Sequence, residues 1–221
     1  MTDPPPTTTH GPDGPPSPAR AAAKVVVRVL ALVAVLPLLA HYWFWSRVVG
    51  RHAAFRGAVQ FLSLLPGLPG VYLRGAFLRR TLAACHPSAT VEFGVLFSEP
   101  GAVLGADVYV GPRCILGLVR LERDVLIGSG VQVPSGAKTH RFDDPTRPIR
   151  DQGGERTVVT IGEGAWVGAG AIVLADVGKG TVVAAGSVVV KPLPEFVIAA
   201  GVPAKVVRSR SGPPAEGAAD A

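Results

Sequence analysis

Cysteine, aromatic side chains and charge are all scarce in this chain of 221 residues. Two cysteines, Cys85 and Cys114, exclude a disulfide framework and any four-thiolate zinc site. Aromatic residues make up 6% and charged residues 17%, yet 48% of the chain is hydrophobic and its mean hydropathy is +0.36. The apolar content is therefore aliphatic, as a repetitive core or a membrane segment would supply, and the length suits one domain with something attached. Acidic residues are nearly missing from the first ninety positions, where only Asp3 and Asp13 face nine Lys and Arg. From residue 91 onward 13 basic residues face 14 acidic ones. The net charge of +6 thus belongs to the N-terminal part, interleaved with the most apolar stretch. A nucleic-acid module needs basic residues on a folded face, often with stacking aromatics. Neither is present, so no nucleic-acid partner is expected.

Residues 1–21 are Pro-rich with almost no apolar side chain and read as a disordered tail; residues 209–221 read the same way. Residues 22–84 form the next unit, a helical segment expected to associate with a membrane. Its uncharged stretch, residues 29–45, is 17 residues long, the lower end of the ~17–25 that span a bilayer. Tyr42, Trp43, Phe44 and Trp45 cluster at one end as at a membrane interface, followed by Arg47, Arg51 and Arg56. No small-x-small site comes after the apolar run, which argues against a cleaved signal peptide. Residues 71–84 set Leu73, Phe77, Leu78 and Leu82 against Arg74, Arg79 and Arg80, the pattern of a basic amphipathic helix lying in a membrane surface. A helical arm packed on a soluble core or on a neighbouring subunit gives the same pattern. Pro37 and the short span fit either a transmembrane helix or a re-entrant pair. The arginines after Trp45 lead us to expect the rest of the chain on the cytoplasmic face of the inner membrane.

From Val91 an aliphatic residue recurs every six positions: Val91 and Phe97; Leu104, Val110 and Leu116; Leu121, Ile127 and Val133; Ile161, Val167 and Val173; Val183 and Val189. Gly often comes directly after, and the residue four places on is small, as at Val95, Gly101, Cys114, Ala137 and Ala165, with Arg120 and Leu193 as exceptions. Neither a helical period of 3.6 nor strand alternation gives this. A six-residue period is a β-helix signature, in which stacked coils bury an aliphatic column. Thirteen such starts at three per triangular coil predict about four coils. An interior with room only for aliphatic and small side chains explains the few aromatics, and it makes Cys114 a buried core thiol.

The repeat is interrupted once, over residues 139–160, where eight of 22 residues are charged: Arg141, Asp143, Asp144, Arg147, Arg150, Asp151, Glu155 and Arg156. Long aperiodic loops inside a compact repeat are commonly functional. His140 is the only histidine of the repeat region; His10, His41, His52 and His86 all precede it. A zinc site of three imidazoles, as carbonic-anhydrase chemistry needs, is therefore excluded and no metal is expected.

The run IGEGAWVGAGAIVLADVGKGTVVAAGSVVVKPLPEFVIAAGVPAKVVR resembles the last coils and exit of the left-handed β-helix, hexapeptide-repeat acyltransferases. Maltose, galactoside, capsule- and lipopolysaccharide-modifying O-acetyltransferases are its analogues. The likeness covers residues 91–208. It departs where Val173 to Val183 spans ten residues instead of twelve, shortening one coil edge near the family's CoA-facing end. The resemblance implies a mainly β fold, a left-handed parallel β-helix over residues 85–208, with residues 139–160 as the active-site loop. It also implies acetyl-CoA as co-substrate and a homotrimer in which each His140 faces a neighbouring chain's groove. His140 matches the family's catalytic base. Asp143 or Asp144 either orients its ring or serves as Asp-Pro loop punctuation; both readings fit. Trp166 takes the last place of its hexad, a corner expected to face outward. By family position it lines the groove near pantetheine or acceptor; an edge aromatic against a neighbouring subunit is the alternative. Gly168, Ala169, Ala185 and Gly186 let CoA approach the backbone, and Lys205 and Arg208 meet its phosphates or are solvated. Arg147 and Arg150 bind an acidic acceptor or pair within the loop.

The expected function is an acetyl-CoA-dependent O-acyltransferase acting on a sugar hydroxyl of a cell-envelope glycan or lipid-linked precursor, in contact with membrane lipid. An N-acetyltransferase of an amino-sugar or small amine, and a non-catalytic β-helix scaffold, are the alternatives.

Overall fold

The computed structural model describes residues 18–210; the Pro-rich stretch before Pro18 and residues 211–221, both read as disordered tails, lie outside the described residues. Three helices come first: α1 (Pro18–Val48), α2 (Arg51–Ser63) and α3 (Gly67–Thr81). Helix α1 is described from Pro18, within the expected tail. At the other end Ser209 belongs to a strand, and Arg210 donates from its backbone to the Phe196 carbonyl at 2.7 Å. The folded domain therefore runs two residues past the expected boundary.

The repeat folds as a parallel β-solenoid with three faces. Face A stacks β1 (Ala84–Cys85), β4 (Val103–Leu104), β7 (Val119–Leu121) and β10 (Val159–Ile161). Face B stacks β2 (Thr90–Val91), β5 (Tyr109–Val110), β8 (Leu126–Ile127), β11 (Trp166–Val167), β13 (Val182–Val183) and β15 (Val197–Gly201), with β16 (Ala204–Ser209) returning antiparallel. Face C stacks β3 (Leu96–Phe97), β6 (Ile115–Leu116), β9 (Gln132–Val133), β12 (Ile172–Val173) and β14 (Val188–Val189). All thirteen hexad starts are buried, at 2% exposure or less.

The coil count is about six rather than four. Cys85, Val177, Leu193 and Ala199 also hold column positions, with Val177 joined to Ile161 and Leu193 by isolated bridges. Three of these lie on face A, which the chain enters at irregular spacing. Corner length differs there from coil to coil, so the inward residues are Ala102 and Val119, while Gly101 and Arg120 are exposed. The ten-residue step from Val173 to Val183 is a face A strand reduced to the single residue Val177. Ala137 is likewise exposed, because the interrupting loop has already left the coil.

Backbone stacking explains the glycines after the aliphatic residues. A Cβ on Gly168 would lie 2.5 Å from the Ala185 nitrogen in the next coil, closer than any side chain tolerates. From the second coil onward the corner between faces A and B carries a left-handed residue, at Asp107, Asp124, Gly164, Gly180 and Phe196.

Helices α2 and α3 cover the N-terminal end of the solenoid, packing on the first coil, and α1 lies across both. Ala31, Val35, Leu39 and Tyr42 recur at helical spacing and form the buried stripe of α1. They meet Phe55, Val59 and Leu62 of α2 and Ala76, Phe77 and Leu78 of α3 in one continuous core. Tyr42 stands edge-on to Phe77 at 5.6 Å, so it leaves the expected interfacial aromatic cluster while Trp43, Phe44 and Trp45 stay exposed. Residues 22–48 are long and apolar enough to cross a membrane by length and composition.

Arg74 departs furthest from the amphipathic reading of α3. It is 2% exposed, and its Nε donates to the Val91 carbonyl at 3.1 Å while Nη1 donates to Leu62 at 3.1 Å and Leu65 at 2.6 Å. One guanidinium thus satisfies carbonyls at the end of α2, in the α2–α3 turn and in the first coil. Burial holds its pKa below the usual arginine range, with Glu92 acting the other way.

Candidate active site

Face C of the third coil ends at Val133, and the chain re-enters face A at Val159. The excursion between them has a laddered base. Thr157 donates to the Ser135 carbonyl at 2.9 Å, Glu155 to Lys138 at 2.8 Å and Arg141 to Gly153 at 2.9 Å. Gly154 is required at the closest approach, since a Cβ there would collide with the Thr139 carbonyl. Ser135 fixes the base to the solenoid: its Oγ accepts from the Leu118 N–H at 2.9 Å.

This ladder shapes a concavity of about 410 Å³ lined by Ala137, Lys138, His140, Arg141, Phe142, Asp143 and Glu155. The His140 ring is exposed and makes no hydrogen bond or ion pair to a described residue, leaving both nitrogens open to a ligand. Asp143 and Glu155 share its concavity. Glu155, Lys138 and Phe142 were not singled out as site residues from sequence. Glu155 lies fifteen positions after His140, and only the pairing of the two loop arms brings it back.

The two aspartates separate. Asp144 Oδ1 accepts from the Thr146 backbone N–H at 2.9 Å and from its hydroxyl at 2.6 Å, a local turn. Those bonds hold its carboxyl below the ordinary carboxylate range. Asp144 is thus engaged as loop punctuation, while Asp143 stays beside His140. Arg147 donates to the Asp151 carbonyl at 2.6 Å, and Arg150 lies 3.7 Å from the Asp151 carboxylate on the exposed loop tip. Gln152 closes the tip by donating to the carbonyls of Asp144 and Arg147 at 2.8 and 2.9 Å.

The outer arm of the loop is tied to the helical cap. Buried Glu99, at the corner between the first two coils, reaches Arg156 Nη1 at 3.3 Å and His52 Nδ1 on α2 at 2.8 Å.

Trp166 lies on flat face B, not at a corner, half-exposed between Leu126 and Val182. Ala169, Ala185 and Gly186 line the exposed edge between faces B and C, and the space over Gly186 is open. Gly168 differs, because the next coil's backbone fills the place of its missing side chain. Lys205 and Arg208 are exposed on β16. None of these lines the His140 concavity of the same chain. Among the described residues no group of three or more His, Cys, Asp or Glu is placed to hold a metal.

No family model matches the chain. It is 36% identical over 109 residues to a probable acetyltransferase of Mycobacterium tuberculosis, covering 45% of this chain and 36% of that protein. It is 32% identical over 126 residues to nodulation protein L of Rhizobium leguminosarum bv. viciae, covering 48% of this chain and 65% of that one. The chain thus spans less than two thirds of the length of either relative. Among solved structures, galactoside acetyltransferase in complex with coenzyme A superposes with a TM-score of 0.58 at 25% identity, over 70% of this chain and 78% of that one. Maltose O-acetyltransferase from Clostridium difficile 630 superposes at 0.61 and 22% identity, over 72% and 88%. The solenoid matches the left-handed β-helix of these acetyltransferases. The chain is thus similar in sequence and in fold to acetyltransferases.

Proposed function

We propose that the protein is an acetyl-CoA-dependent O-acyltransferase of a sugar hydroxyl, with His140 as general base. The observation that carries this reading is the exposed, unpartnered His140 imidazole in a charged concavity on the one loop that interrupts the solenoid. A sugar hydroxyl is a weak nucleophile until its proton is removed. The imidazole takes that proton as the hydroxyl oxygen attacks the thioester carbonyl, and the tetrahedral oxyanion then collapses with cleavage of the C–S bond. The imidazolium returns the proton to the leaving CoA thiolate, so no metal or redox partner enters the balance. General-base catalysis by a positioned imidazole supplies on the order of 10²–10⁴ in rate. Asp143, and Glu155 across the ladder, are the carboxylates available to orient the ring.

The CoA-facing residues inferred by resemblance, Trp166, Ala169, Ala185, Gly186, Lys205 and Arg208, sit away from His140 within one chain. A homotrimer, with each His140 loop facing a neighbour's groove, would join the two halves. The stripe of Tyr109, Leu126 and Trp166, exposed on face B, supports such packing. The acceptor we propose is a cell-envelope glycan or its lipid-linked precursor. The N-terminal arm supports work at the cytoplasmic face of the inner membrane, where acetyl-CoA is made available. In this reading α1 lies in the membrane surface rather than crossing it. One stripe of its middle is packed against α2 and α3, which themselves sit on the solenoid, and this supports the surface reading.

The test is thiol release from acetyl-CoA with the full-length protein and a panel of glycans, with products analysed by NMR. His140→Ala is expected to lose about a hundredfold or more of the rate. Undiminished turnover by the folded variant would defeat the assignment. Acetyl appearing on an amine in preference to a hydroxyl would select the N-transferase reading.

A further inference from the structure

An apolar groove of about 500 Å³ runs between α1 and α3, walled by Val27, Leu30, Ala34, Leu68, Tyr72 and Leu73. Its lining is almost wholly hydrocarbon. At one end Leu68 and Tyr72 also line a second depression of about 310 Å³, whose helical wall carries Lys24, Arg28 and Arg79. Arg28 and Arg79 continue into a third, where Arg80 joins them. Four cations therefore gather where the groove opens towards the first coil, and none makes an ion pair or hydrogen bond to a described residue. Arg79 is held below the usual arginine range first by burial, with Arg28 and Arg80 adding to this and Cys85 opposing it. Crowded cations that make no ion pair of their own are stabilised by an anion placed among them. The opposite wall carries Glu92 and Asp107. These carboxylates accept hydrogen bonds, so a ligand seated there presents hydroxyl donors beside its negative charge.

We propose that this junction binds one anionic phospholipid whose phosphodiester headgroup bears hydroxyls. One acyl chain lies in the α1–α3 groove, the phosphate meets Arg28 and Arg79, and headgroup hydroxyls face Glu92 and Asp107. The proposal rests on the membrane attachment proposed above and gives it a chemical preference. Charge complementarity between a basic mouth and a hydrocarbon channel selects a lipid over a free anion, which gains nothing from the groove, and over an apolar peptide, which gains nothing from four cations.

Phosphatidylglycerol in a phosphatidylcholine background is the probe. The full-length protein, released from mixed bilayers and weighed by native mass spectrometry, is expected to retain one phosphatidylglycerol per chain, at least about tenfold over phosphatidylcholine. R28Q/R79Q loses that lipid, whereas R47Q/R56Q, equal in charge change and remote from the groove, keeps it. Ala34→Trp fills the channel without altering charge and also lowers retention. Excess inorganic phosphate leaves the bound lipid in place. Equal loss in both double variants, displacement by phosphate, or no preference in the native protein would overturn the site. Vesicle flotation separates the two levels. A native protein that floats with vesicles yet retains no lipid disproves only this inference, and one that floats with none removes the membrane reading as well.

Discussion

The helical cap and the solenoid are both rich in aliphatic residues, but they fix their cores by different rules. In the solenoid each buried residue is supported by an equivalent residue one coil away, as Val110, Ile127, Val167 and Val183 stack on face B. A period in the sequence becomes a column in space, and no distant choice is involved. In the cap nearly every position of α1 is apolar, so its own composition selects no buried face. That face is chosen by the partners, Phe55, Phe77 and Leu62, and those partners are in turn held on the first coil by a guanidinium that the local pattern assigns to water. Core identity is local in one region and relational in the other.

The sharpest way to break this contrast is a pair of matched truncations. Ile127→Ala removes a fully buried column residue and is expected to cost about 4 kcal/mol, read as a shift in denaturation midpoint. Leu30→Ala, at 62% exposure on equally apolar α1, should stay within about 0.5 kcal/mol. Equal costs would mean that the outer face of α1 packs as a core does.

Arg74→Met probes the relational core directly. The three carbonyls it serves lose their donor inside the cap, for an expected loss of about 3 kcal/mol in the same assay. A neutral result would show that Arg74 only occupies space.

A smaller effect is expected at the seam. Glu99→Gln weakens the ties to His52 and Arg156, whose own side chains are largely exposed, so the cost is about 1 kcal/mol. Faster tryptic cleavage within the loop that carries His140, with the solenoid intact, is the accompanying readout. Unchanged cleavage would separate the cap from the loop.

The least change is expected from thiol labelling. Burial pushes both Cys85 and Cys114 up to about 11, with Arg79 opposing at Cys85 and backbone hydrogen bonds opposing at Cys114. At pH 8 about one thiol in a thousand is then ionised, so native labelling is slow and unfolding releases it. Labelling should accelerate as pH rises towards 11, since the neutral form is the one favoured by burial. Rapid reaction of either cysteine at pH 8 would show its region opening.

Much of the solenoid was legible because Gly and aliphatic spacing record it residue by residue. Coil number was less so: Cys85, Val177, Leu193 and Ala199 hold column positions at spacings set by corner length. Within the candidate site, His140 and its loop were visible as an interruption of the period. The division between Asp143 and Asp144 was not, because it depends on where the Thr146 hydroxyl lies, and Glu155 returns to His140 only through backbone pairing across the loop.

The sequence by itself determined the column, the loop that breaks it and the segregation of positive charge into the first ninety residues. Each is a property of spacing or composition, which local chemistry translates directly into structure. The tertiary fold alone decided that Arg74 is buried and that Arg28 and Arg79 share one mouth. It also decided that Trp166 does not line the His140 concavity of its own chain. These depend on which surfaces meet, and desolvation and hydrogen bonding act on surfaces only once they have met.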